Sequence, residues 1–475
     1  MTHALFLGLL ALCAAGFLLS RRPRVWRMDA LFAAVFLALA AHQAWWQLHG
    51  GGSIAFQRFR QRYDPRPGIR LGDKRGRLLD RNGQVLAQGL SGQSWGHDAP
   101  LGAAGLHVVG YASRSCGLSG LERVYDARLC GYALPESPAD FLRRSPPQDV
   151  RTTLDATLQK AAYDALGGQK GAVVALDPRT GEVLALVSSP ACPDDEASLL
   201  HALSRKADAP LFNRATQGLY PPGSVFKLFT AALALDCRRA GAYVCSPGGW
   251  IPAPGTKPIR DTHPQRGEDP IPLETAFAQS SNIWFAKAAR ACGFPAFQAA
   301  AKRCRLDSGF TLARCGERTY GCVAGHFPDM TPTPARTVYL GFGQGELRLT
   351  PLHVAALTAA MAHDGVLAAP HLEKGAPAET LRFWPAATAR RVRGLMRASV
   401  LRGTSRGIDL PGLAVCGKTG TAENSGRDHA WFTCFAPEEQ PRIVVTVLVE
   451  HGGFGAQAAL PVARNVLQAW QSLPR

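Results

Sequence analysis

Tyr220-Pro221-Pro222-Gly223-Ser224-Val225-Phe226-Lys227 stands directly ahead of an apolar run that reads as a helix from Val225 to Leu235. Proline and glycine end the loop and the serine starts the helix. Its hydroxyl and backbone N–H then lie at a positive helix end. Such an N–H is half of an oxyanion hole. A serine hydroxyl is a poor nucleophile until a base takes its proton. Lys227 follows one helical turn after Ser224, on the same face. A free lysine is protonated at neutral pH, but burial and a nearby cation both lower its pKa and free the amine. Ser-x-x-Lys alone also fits a surface helix followed by an unrelated lysine, so its context decides.

That context comes from two strings further along, Ser280-Ser281-Asn282 and Lys418-Thr419-Gly420, at intervals of 56 and 138 residues. In this order the three strings form the motif set of serine acyl-transferases that handle D-alanyl peptides or β-lactams. The chain holds 10 Lys against 43 Arg. Both motif cations are nevertheless lysine, the one of the two that can deprotonate. Gly412 to Thr421 reads as a strand, followed by Ala430 to Phe435 and Ile443 to Glu450. An edge strand carrying Lys418 can offer the N–H of Thr421 as a second oxyanion donor. Gly420 is expected to leave room for a substrate against that strand.

The chain resembles the class B penicillin-binding proteins, monofunctional peptidoglycan D,D-transpeptidases of the bacterial envelope. The resemblance covers about residues 70–475. Arg75-Gly-Arg-Leu-Leu-Asp80-Arg-Asn-Gly83 resembles the family's N-terminal signature, and Gly117-Leu-Ser-Gly-Leu-Glu122 its linker motif. Gly171 to Asp177 with Gly181 to Val187 resembles the first hairpin of the catalytic sheet. Asn213-Arg214 and Asp428-His429-Ala430-Trp431-Phe432 also match. The resemblance implies Ser224 as nucleophile and Lys227 as base. Ser280 would relay a proton between Lys227, Lys418 and the leaving amine. Asn282 would hold the substrate amide and Lys418 would set the local charge. Thr419, Gly420 and Thr421 would line the substrate strand, with both threonines on the terminal carboxylate. The implied fold is α/β, a β-lactamase-like transpeptidase domain whose antiparallel sheet is flanked by helices. The middle string carries serine at its variable position. Cys416, two residues before Lys418, is less usual and is expected to face the cleft.

Composition fits a folded protein, with 46% hydrophobic and 19% charged residues. A formal charge of +17 could indicate nucleic acid. No helix-turn-helix, zinc spacing or concentrated basic run supports that; an arginine-rich chain from a high-GC genome is the plain account, and attraction to anionic lipid and wall polymers the functional one. No cofactor is expected. No metal site is read either, since paired C-x-x-C spacing is missing and the histidines are scattered. His429 beside Asp428 invites a triad reading, but a structural histidine is the better one because the lysine already fills the base role.

Ala4 to Ser20 is apolar and uncharged, Arg21, Arg22, Arg24 and Arg27 follow, and Met28 to Trp46 is a second apolar stretch. Both are near the minimum length for a bilayer span. The arginines should stay cytoplasmic, which puts the remainder outside. Residues 1–50 therefore read as a membrane anchor built as a two-helix hairpin. The alternative is one anchor preceded by a partly inserted apolar leader. Residues 51–148 read as a small pedestal and linker module, and 149–475 as the transpeptidase domain. No glycosyltransferase domain fits in the remaining chain. By family analogy, glycan polymerisation falls to a membrane glycosyltransferase of the SEDS type.

The expected function is cross-linking of peptidoglycan stem peptides on strands derived from lipid-linked precursors, with β-lactams as covalent inhibitors. The alternatives are hydrolysis, as a D,D-carboxypeptidase or β-lactamase, and a non-catalytic scaffold in a wall-synthesis complex. Eleven of the 12 cysteines lie beyond the apolar stretches, in what should be an oxidising compartment. Spacing suggests bridges Cys116–Cys130, Cys237–Cys245, Cys292–Cys304 and Cys315–Cys322, with Cys416–Cys434 across neighbouring strands and Cys192 left free. Sequence alone cannot fix this connectivity, and several buried free thiols are the other reading.

Overall fold

The computed structural model describes residues 24–49, 75–89, 97–113, 115–131, 146–205, 208–262, 269–328 and 333–474. Asp155 caps helix α1 (Ala156–Ala165) by accepting the N–H of Leu158. Two apolar runs, β1 (Gly171–Leu176) and β2 (Val183–Ser189), then form a hairpin. The chain next builds helices α2 (Lys227–Asp236), α3 (Leu273–Gln279), α4 (Asn282–Cys292), α5 (Pro351–Ala362) and α6 (Ala386–Arg402). Strands β3 (Cys416–Ala422), β4 (His429–Ala436) and β5 (Ile443–Val449) follow, and α7 (Gly455–Gln471) ends the chain.

The sheet order is β3-β4-β5-β1-β2, antiparallel throughout. Both faces are covered, so these strands read as continuous apolar runs and not as alternating ones. The side chains still alternate between two cores. Ala172, Val174 and Leu176 face the core shared with α2, α4 and α5. Val173 and Ala175 face the core shared with α1 and α7. Lys418 stands opposite Thr433, and Thr433 opposite Thr446. The hydroxyls of Thr433 and Thr446 lie 2.7 Å apart, and Thr358 of α5 meets Thr433 at 2.7 Å. A satisfied polar row thus crosses the apolar sheet beside the lysine.

The N-terminal signature and the linker motif belong to one network. Arg75 donates to Asp126 at 2.8 Å and pairs with Glu122, both buried on the helix Gly120–Cys130. Residues 70–130 and 147–475 form one compact unit. The other unit comprises 1–69 and 131–146. Within it, Met28 to Trp46 lies on the helix Arg24–His49. No described helix is both long and apolar enough to cross a membrane. Ala4 to Ser20 lies outside the described residues.

All five expected cysteine bridges are absent, and the described cysteines are thiols. Register excludes one of them. Cys416 pairs with Phe435 and Gly417 with Cys434, so the two thiols point to opposite cores. In the hairpin of 311–321, Cys315 stands by Arg318 at the turn. Cys322 bonds Phe310 at the open end. Cys245 sits beside Ser281, 3.5 Å from its hydroxyl. Cys237 and Cys292 instead meet each other, within hydrogen-bond reach at the C-terminal ends of α2 and α4. Cys304 is fully buried, and Cys130 bonds Asp126.

Candidate functional site

Ser224 does not open an α-helix as expected. It sits on a 3₁₀ turn, Gly223–Phe226, and α2 starts at Lys227. Side chains three apart eclipse on a 3₁₀ turn, a spacing that suits Ser224 and Lys227. The turn is held by elements remote in sequence. The N–H of Gly223 donates to Gly343 O at 2.9 Å, and Tyr220 exchanges two backbone bonds with Leu349. The Trp431 indole donates to Pro221 O at 3.1 Å. The Tyr220 hydroxyl donates to Glu450 at 2.6 Å, and Glu450 is also paired with Arg214 at 2.9 Å. Gly223 has φ 55° and lies against Thr421 O, where a Cβ would approach to 2.5 Å. Gly343 has φ 76°, and a Cβ there would come within 2.1 Å of Gly223 O. Neither glycine can be replaced without moving backbone.

The second string forms the turn between α3 and α4. Ser280 is left-handed (φ 60°, ψ 42°), an uncommon conformation for a residue with a side chain. Both its oxygens thereby face Lys227, whose amine donates to Ser280 O at 2.7 Å and to Ser280 Oγ at 3.1 Å. Lys227 also donates to Asn282 Oδ1 at 2.7 Å, while Asn282 Nδ2 donates to Arg260 O at 3.0 Å. Lys418 donates to the same Ser280 hydroxyl at 2.9 Å and to Thr419 O at 3.1 Å. Both lysines are fully buried. Burial, and then the charge of Lys418, hold the Lys227 amine well below the ordinary lysine range, with Asp261 opposing. Burial lowers Lys418 to about 7. Lys227, Ser280, Asn282 and Lys418 therefore come from three elements into one hydrogen-bonded cluster, and Ser224 stands three residues ahead of Lys227 on the 3₁₀ turn.

Strand β3 is the sheet edge, as its motif required. Gly420 also serves the packing of the site. A Cβ there would meet Val225 at 2.9 Å and Trp431 at 3.0 Å, so the missing side chain admits the Ser224 turn against the strand. Cys416 does not face the cleft. It is buried in the main core, with Arg393 and Arg397 of α6 nearby. Thr421 is half-buried near the strand's end. The Thr419 hydroxyl lies 2.6 Å from that of Thr404, whose backbone N–H donates to Ala278 O. Sequence reasoning missed Thr404, Asp261, Gly343 and Glu450, none of which carries a motif. His429 is structural. Its Nδ1 accepts the N–H of His451, and its ring stands edge-on to Tyr220. Among the described residues, no group of three or more His, Cys, Asp or Glu converges to hold a metal.

Residues 171–468 match the Transpeptidase family, the penicillin binding protein transpeptidase domain. The peptidoglycan D,D-transpeptidase PbpA of Mycobacterium tuberculosis is 32% identical over 412 residues, 76% of this chain and 81% of its own. The imipenem acyl-enzyme complex of penicillin-binding protein A from M. tuberculosis superposes with a TM-score of 0.74 at 29% identity. The match covers 84% of this chain and 98% of that one. Pseudomonas aeruginosa PBP2 in complex with WCK 5153 gives a TM-score of 0.72 at 31% identity, over 85% and 97%. The Ser280 hydroxyl held between two buried lysines is thus set in a sheet and helix framework shared with these proteins, and the chain belongs to the penicillin-binding protein transpeptidase family.

Proposed function

We propose that this chain is a peptidoglycan D,D-transpeptidase that cross-links stem peptides through an acyl-enzyme on Ser224, and that β-lactams acylate the same oxygen. The carrying observation is the Ser280 hydroxyl shared by Lys227 and Lys418 at 3.1 and 2.9 Å. Ser224 attacks the carbonyl carbon of the penultimate D-alanine as its proton passes to the neutral amine of Lys227. The C–N bond to the terminal D-alanine breaks, and the leaving amine takes that proton through Ser280. An amine of a second stem peptide then attacks the ester. It gives up a proton by the same route, and the Ser224 hydroxyl is restored. The N–H groups of Ser224 and Thr421 stabilise the oxyanion. Asn282 holds the peptide amide. Lys418 supplies positive charge, Thr419 and Thr421 take the terminal carboxylate, and Gly420 leaves the substrate room against the strand.

The names of the relatives support this substrate class, and the β-lactam complexes of the structural neighbours support the inhibitor class. We place the catalytic domain, 149–475, outside the cytoplasmic membrane, on a pedestal of 51–148 and an anchor of 1–50. The exposed Phe32, Phe36, Leu37 and Leu39 on the helix Arg24–His49 favour a lipid-facing anchor, as do the arginines that precede it. Pairing with a SEDS-type glycosyltransferase follows from family analogy. Labelling with a fluorescent penicillin, followed in time, tests the reading. A long-lived adduct on Ser224 supports the transpeptidase. Rapid hydrolytic release would indicate a carboxypeptidase or β-lactamase, and no adduct would indicate a scaffold.

A further inference from the structure

Asp261 has no part in the chemistry above, yet it grips the turn on which that chemistry depends. Its Oδ2 accepts the Ser281 hydroxyl at 2.6 Å, and its Oδ1 accepts the Ile283 N–H at 2.9 Å. Ser281 is itself buried and caps α4 by accepting the Trp284 N–H at 3.1 Å. Asp261 and Ser281 together satisfy two of the N–H groups that a helix start leaves unpaired. The carboxylate's charge also suits that end of the helix. The preceding residue, Arg260, accepts the Asn282 amide through its carbonyl at 3.0 Å, which leaves Asn282 Oδ1 facing Lys227. Two consecutive residues therefore fix the orientation of the two that follow Ser280.

We infer that Asp261 is a positioning residue for acyl transfer: its two hydrogen bonds hold the Ser280–Asn282 turn in the left-handed form that aims the Ser280 hydroxyl at both lysines. The inference rests on the transpeptidase reading of the site. A left-handed serine needs such support, since little in its own chemistry favours that conformation. Among the described residues, the ionisable groups around the turn are Lys227 and Lys418 on the catalytic side and Cys245, with Lys287 beside it, on the other. Asp261 is the negative charge among them that acts on Lys227, and it opposes the lowering caused by burial and Lys418. It thus adjusts the base as well as placing the relay.

The test is the acylation rate by a fluorescent penicillin across pH, for the full chain and its Asp261→Ala and Asp261→Asn variants, with thermal unfolding of each. Asp261→Ala is expected to slow acylation about tenfold or more through misplacement of the relay. Asp261→Asn keeps one acceptor oxygen and loses the charge. Its acid limb is expected to move to lower pH, because Lys227 loses the group that raises its pKa. Variants that unfold earlier but keep the wild-type rate and the wild-type acid limb would overturn the inference and leave the site reading intact. Should the alanine variant fail to fold, the asparagine variant's pH limb decides alone. A wild type that takes no penicillin would overturn the reading of the site, and this inference with it.

Discussion

Lys227 and Lys418 direct their amines at one oxygen atom, the Ser280 hydroxyl, from 3.1 and 2.9 Å. The resemblance implied the relay, and the structure supplies its geometry. It arises because α2, the turn before α4 and the edge strand β3 converge. Two like charges this close in a buried site disfavour double protonation, which suits a base.

Acylation should therefore slow on acidification. Below the lowered pKa of Lys227 the amine binds a proton and cannot accept another from Ser224. Lys227→Arg should be slower by roughly a hundredfold or more at every pH, since a guanidinium stays charged. Single-turnover labelling from pH 5 to 9 measures both effects, and an active arginine variant would rule out the lysine base.

Ser224→Ala should abolish the penicillin adduct. Ser224 is half-buried on its turn, and the change should alter stability by no more than about 1 kcal/mol. Peptide mapping of the labelled wild type should place the adduct in the peptide containing Ser224. An adduct on any other serine contradicts the assignment.

Gly343→Ala should be costly although the residue lies outside every motif. Its φ of 76° and the approach of Gly223 O leave no space for a methyl group. A loss of roughly 1–3 kcal/mol is expected from the backbone alone. Acylation should fall too, because the displaced neighbour is the turn that carries Ser224. Chemical denaturation and labelling of the folded fraction separate the two losses.

Among the described thiols, Cys237 and Cys292 are the pair expected to join under a disulfide oxidant such as oxidised glutathione, and only at alkaline pH, because burial pushes the Cys292 thiol up to about 12. One thiolate attacks the oxidant and releases one glutathione, and the other attacks the resulting mixed disulfide and releases the second. Tryptic mapping without reduction should recover residues 228–238 linked to 291–302. Recovery of a Cys416–Cys434 link would contradict the register of β3 and β4.

The catalytic hairpin, the edge strand and the three motif strings were readable because each depends on local chemistry. The apolar runs of β1, β4 and β5 announce strands buried on both faces. The turn at Asp177–Gly181 announces itself through proline and glycine. The cysteines were misread because local spacing says nothing about which side of a strand a thiol leaves from. The packing role of Gly420 was unreadable for a similar reason. A missing side chain makes room, and only the fold shows that the Val225 turn needs some of it. Asp261 and Glu450 were invisible because a lone carboxylate gains meaning only from what it meets.

Burying two lysine amines has a consequence for the heat of folding. Lys418 moves from an ordinary value of 10.5 to about 7 when the chain folds, and Lys227 moves the same way. Between those values the unfolded chain holds protons that the native state has released, so stability rises with pH across that window and falls as pH drops toward neutrality. Folding in that window expels protons into the buffer. Its measured enthalpy should then vary with the buffer's own ionisation enthalpy. Calorimetry in two buffers at pH 8.5 would count the protons that leave when the site assembles, with no substrate present.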